Sequence, residues 1–186
     1  MKIKKVESGY TEILNFGRPC LFINLDHKGI DENYEDLVEQ AVHFNRVVIL
    51  GDEPFLQKEE VSKFTKRVLK KNEKTTVEFY TKGTIKPVGI SSFSRVVYNI
   101  FIQLKNSNIL YDERVKPNVI NWFTLTNSNF IFEVNTEDDV DEVISLLQDV
   151  GIPKNRVFLC PVRDYKLILE KCKIHGFCFA PWIKLN

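Results

Sequence analysis

Six short apolar runs, each followed by turn chemistry or a helical pattern, constrain this chain more than any other feature. Cys20-Leu21-Phe22-Ile23-Asn24-Leu25 is the first, and Gly17-Arg18-Pro19 ahead of it reads as a turn. The others span residues 46–50, 75–80, 95–104, 130–134 and 156–160. Between them lie amphipathic stretches. Residues 34–44 place Leu37, Val38, Ala41, Val42 and Phe44 on one stripe. Residues 54–71 do the same with Phe55, Leu56, Val61, Phe64, Val68 and Leu69. After residue 134, Asn135-Thr136-Glu137-Asp138-Asp139 supplies a cap and a first turn of acids, which suit the positive end of a helix. Val140, Val143, Ile144, Leu146, Leu147 and Val150 form its inner side, and Gly151 stops it. A helix over 165–172 and a last strand or tail over 177–179 and 182–185 follow, while 115–120 carries no clear period. Short strands alternating with helices predict an α/β fold with a mostly parallel sheet.

With 186 residues, 44% of them hydrophobic, and no Gly/Ser/Pro-rich linker, the chain predicts one domain over 1–186. The 26 basic and 25 acidic side chains leave a formal charge of +1, which gives no overall pull toward nucleic acid or an anionic membrane. Lys63, Lys66, Arg67, Lys70 and Lys71 share a helix face, which we read as solvated because Glu59, Glu60 and Glu73 dilute it. No apolar run approaches the ~18 residues of a membrane span, and MKIKKVESGY lacks a signal-peptide core. The expectation is a soluble, intracellular, cytoplasmic protein.

A site in such a sheet lies beyond the strand C-terminal ends. Three segments fall there: Gly51-Asp52-Glu53-Pro54, Thr81-Lys82-Gly83-Thr84 and Lys105-Asn106. Neither GxxxxGK[ST] nor GxGxxG occurs. Cys20, Cys160, Cys172 and Cys178 lack metal-ligand spacing, and we read them as buried packing thiols. His27 with Asp26, Asp31 and Glu32 is one imaginable metal loop, but one His among polar residues is ordinary loop composition. Cys172 and His175 stand at i, i+3 without a third group to orient a base. The acids from Glu137 to Glu142 read as a helix start with a solvated face, and His43 as a structural residue of its helix.

Several stretches carry a likeness. Gly51-Asp52-Glu53-Pro54-Phe55-Leu56-Gln57 after a β-run resembles the Gly-Gly-Glu-Pro-Leu-Leu-Gln segment of radical S-adenosylmethionine enzymes. Gly17-Arg18-Pro19 with Phe22-Ile23-Asn24-Leu25, Tyr80-Thr81-Lys82-Gly83-Thr84, Leu104-Lys105, the strand ending Cys160-Pro161, and His175-Gly176-Phe177 follow in the order of the 7-carboxy-7-deazaguanine synthase family. The resemblance spans nearly the whole chain, each motif being short. It implies a trimmed, partial (β/α) barrel of the radical-S-adenosylmethionine type.

The departures from that family are chemical. The family's first strand runs into a loop whose three cysteines hold a [4Fe–4S] cluster. Here Leu25 is followed by Asp26-His27-Lys28-Gly29-Ile30-Asp31, without cysteine. Reductive cleavage of S-adenosylmethionine needs that cluster. Asp52 replaces the second Gly, Tyr80 an acid, Ile102 and Gln103 polar positions, and Trp182-Ile183-Lys184 a late Arg-x-His. The resemblance with these losses implies a pseudoenzyme with no cofactor, serving other proteins as a structural or interaction component, with a phage virion as one setting. The turn then persists as structure: Gly51 eases it, Glu53 caps, and Pro54 starts the helix. The alternative is a small-molecule-binding partner subunit in queuosine or 7-deazaguanine metabolism, holding S-adenosylmethionine or a deazapurine or pterin at Gly51, Asp52, Glu53, Pro54, Thr81 and Lys105. A third reading, an enzyme of different chemistry, finds no convergent set of titratable groups in the sequence. Residues 130–132 and 177–182 are aromatic enough for an interface and equally suited to a core.

Overall fold

The β-branched and aromatic runs become strands, and the amphipathic stretches between them become the crossovers that parallel strands require. The computed structural model describes residues 1–11, 14, 17–26, 28–31, 33–90 and 93–181. They form two compact units.

The first unit holds Met1–Thr11, the described part of 15–81, and Ile85–Tyr98. Its elements are β1 (Lys2–Tyr10), β2 (Pro19–Leu25), β3 (Ile30–Asp31), α1 (Tyr34–Val42), β4 (Arg46–Gly51), a 3₁₀ turn (Pro54–Gln57), α2 (Lys58–Lys71), β5 (Thr76–Thr81) and the opening residues 96–98 of β6 (Val96–Phe101). The strand order is β3-β1-β2-β4-β5, then β6. β2, β4 and β5 are parallel, whereas β1 runs antiparallel to β2 and to β3. Val47, Ile49, Val77 and Phe79 have no or almost no exposed surface, and Val38, Ala41, Val61, Phe64 and Val68 on α1 and α2 are equally buried. Phe79 lies 5.1 Å from Phe55 and 5.8 Å from Tyr98, ring centre to ring centre. Arg95 fastens the end of α2: its guanidinium donates to the carbonyls of Leu69, Asn72 and Thr75 at 2.9–3.1 Å.

The second unit holds Leu14, Lys82–Thr84 and the described residues from Asn99 onward. After the rest of β6 come a 3₁₀ turn (Lys105–Ser107), α3 (Tyr111–Arg114), α4 (Pro117–Thr124), β7 (Ser128–Val134), α5 (Glu137–Val150), a 3₁₀ turn (Lys154–Arg156), β8 (Val157–Pro161), α6 (Tyr165–His175) and β9 (Cys178–Phe179). The order is β6-β7-β8-β9, and β7, β8 and β9 are parallel. Thr136 and Asp139 make a reciprocal capping box at the start of α5, and Gly151 ends it with φ of 74°.

The architecture is α/β with a mostly parallel sheet, open rather than closed, as expected from the alternating pattern. Three local readings change. β1 escapes the period rule because only Ile3 is buried along Lys2–Tyr10. Leu56, assigned to the inner stripe, is 62% exposed because Pro54–Gln57 is a 3₁₀ turn with about three residues per turn, which rotates it outward. α6 continues past residue 172 to His175, where Gly176 caps it at φ of 75°. The expected tail over 182–185, with the Trp182-Ile183-Lys184 position, lies outside the described residues.

Candidate functional site

β4 ends where it touches β2. Gly51 pairs with Leu25, its φ is +144°, and a Cβ there would stand 2.3 Å from the Leu25 carbonyl oxygen. Only glycine allows this approach. Asp52 then faces solvent, and Glu53 returns to extended backbone. Pro54 is buried at the first position of the 3₁₀ turn. The Glu53 carboxylate accepts the Phe55 N–H at 3.2 Å, so it caps that turn. The same carboxylate accepts the Thr81 hydroxyl, 2.8 Å from both of its oxygens. Thr81 is the last residue of β5 and is 3% exposed. The C-terminal ends of β4 and β5 are thus tied by one carboxylate. Gly51, Glu53, Pro54 and Thr81 come together; Asp52 sits at the rim of the turn.

Lys105 belongs to the second unit. Its side chain is exposed, and its backbone N–H donates to Glu142 at 2.9 Å. That bond is part of a clamp with little sequence signal. Arg114 is 4% exposed. Its guanidinium meets Glu142 at 2.7 Å, donates to the Gln103 carbonyl at 2.8 Å, and lies 5.4 Å from the Tyr111 ring centre. Asp139 accepts the Asn106 amide at 3.1 Å and the Asn135 and Thr136 N–H groups at 2.7 and 3.0 Å. Two carboxylates of α5 therefore hold down the segment that leaves β6. An arginine in a polar-looking stretch gives no hint that it will be buried; only the i, i+3 pair Asp139/Glu142 facing inward on α5 could have prompted the search.

Beyond Leu25, the described residues Asp26, Lys28 and Gly29 turn back toward β1. Gly29 donates to the Asp26 carbonyl at 2.8 Å, Lys28 N–H to the Asp26 carboxylate at 2.9 Å, and Asp26 N–H to the Lys2 carbonyl at 3.3 Å. Ile30 then pairs with Ile3, and a Cβ on Gly29 would lie 2.5 Å from the Ile3 carbonyl oxygen. His27 and Glu32, and with them the imagined metal loop, lie outside the described residues. Among the described residues, no three His, Cys, Asp or Glu side chains converge.

The thiols pack. Burial pushes Cys20 up to about 11 against a smaller downward pull from Arg46, and it pushes Cys160 to about 12 and Cys172 to about 11. Cys160 donates to the Ala180 carbonyl at 2.8 Å. Cys172 points to the Cys178 carbonyl at 3.7 Å, while the His175 ring stacks on Phe177 with centres 5.7 Å apart. The basic face of α2 is ion-paired with α1: Arg67 holds both oxygens of Glu35 at 3.1 Å, and Lys71 pairs with Glu39. In the second unit, alternation along β7 and β8 sends Ile131, Phe158 and Cys160 to one side, opposite Phe130, Phe132, Val157 and Leu159. Leu14 and Ala180 cover Ile131 and Cys160 there, with Phe101 and Phe158 packed alongside.

No family model and no curated protein matches the sequence. Among solved structures, Streptococcus suis SuiB, determined bound to precursor peptide SuiA, is similar with a TM-score of 0.59 and 10% identity. The likeness covers 84% of this chain but 44% of SuiB, so the chain spans less than half the length of that protein. SuiB is a radical S-adenosylmethionine enzyme. At that identity the likeness concerns the fold: this chain has a radical-S-adenosylmethionine-like α/β fold, with a mostly parallel, unclosed sheet.

Proposed function

We propose that this chain is a pseudoenzyme on a radical-S-adenosylmethionine-type fold, derived from the 7-carboxy-7-deazaguanine synthase family and reused as a protein-interaction or structural component of a larger assembly. A phage particle is one such assembly, and the host cytoplasm is the other location to search. Among the described residues no helix is long and apolar enough to cross a membrane. The observation that carries the reading is the segment at residues 26–33. The family's cluster cysteines follow the first strand, whereas here that segment has no cysteine, and among its described residues Asp26 and Gly29 are joined in a turn and Ile30–Asp31 form β3. The cap and tie made by Glu53 add support, since they give the Gly51–Pro54 turn a role without a ligand.

Anaerobic reconstitution with iron and sulfide tests the loss of catalysis. The expected result is no stoichiometric cluster absorbance and no 5′-deoxyadenosine from S-adenosylmethionine under reductant. A cluster-loaded protein that cleaves S-adenosylmethionine overturns the reading. Isolation from the native source tests the second half: co-purification in a defined, high-mass assembly is expected, and recovery as a free chain carrying a small molecule refutes it.

A second reading has one observation in its favour, the convergence of Glu53 and Thr81 at the ends of β4 and β5, where α/β sheets take ligands. It makes the chain a binder of S-adenosylmethionine or a deazapurine. A ligand at ~100 times its dissociation constant stabilises the fold by about 2.7 kcal/mol. No rise in melting temperature with either compound removes this reading.

A further inference from the structure

We draw no further inference here: the strongest candidate, the exposed apolar flank that Val162, Tyr165 and Leu169 make at the start of α6, carries nothing because nothing in the structure shows what covers it.

Discussion

Replacing Glu53 by Ala separates a turn kept for structure from one kept for a ligand. In the structural case the carboxylate holds at least the Phe55 N–H and the Thr81 hydroxyl. Its cap on the Phe55 N–H at 3.2 Å is worth about 1 kcal/mol. Its bond from the Thr81 hydroxyl has one donor 2.8 Å from two oxygens, so it counts once, at about 1.5–3 kcal/mol for a charged acceptor. Glu53 is half-buried, and water compensates part of its loss. The expected destabilisation is about 2 kcal/mol, or roughly 4–8 °C in melting temperature at this chain length. Thr81→Val keeps the shape of a residue that is 3% exposed and deletes the donor, and about 1 kcal/mol is expected. The double variant should lose less than the sum, because both changes remove the same bond. Urea unfolding of the four proteins measures all three quantities. A carboxylate held for a ligand behaves otherwise, since functional groups are commonly neutral or costly to stability. If Glu53→Ala stays within about 0.5 kcal/mol of the parent, or the two losses simply add, the structural account of this turn is refuted.

Other outcomes follow from the same geometry. Gly51→Ala places a Cβ 2.3 Å from the Leu25 carbonyl oxygen at a φ of +144°, so a loss well above about 1 kcal/mol is expected in thermal unfolding. Arg114→Met strands the Glu142 carboxylate, which is 10% exposed, and should cost about 3–5 kcal/mol; Arg114→Met with Glu142→Leu should recover most of it. The native Cys20, Cys160 and Cys172 thiols, held at about 11, 12 and 11, should react slowly with a thiol reagent at pH 8 relative to the half-buried Cys178. Raised thiol values favour the protonated native state, so their contribution to stability is complete below pH 9 and falls as pH rises from about 9 to 12. Unfolding followed at pH 8, 9.5 and 11 checks that sign.

Local chemistry determined much of this protein. Runs such as Val47-Val48-Ile49 are buried on both faces, so their apolar continuity marks a parallel strand wherever it occurs. Thr136 with Asp139, Gly151 and Pro54 act within one turn of themselves, and the sequence placed each at its helix end, whereas the helix capped by Gly176 runs three residues beyond its expected end. The cysteine-free segment after Leu25 was equally plain, because a missing ligand type needs no fold to be noticed. Tertiary structure decided the rest. β1 has no apolar period because its stability comes from pairing with β2 and β3. Arg114 is buried because Glu142, 28 positions along the chain, neutralises it. Leu14 is core because Ile131 and Cys160 lie beneath it. Glu53 has a fixed orientation because Thr81 ends the neighbouring strand. A sequence pattern records what a residue asks of its nearest neighbours, and these residues answer to partners that only the folded chain brings within reach.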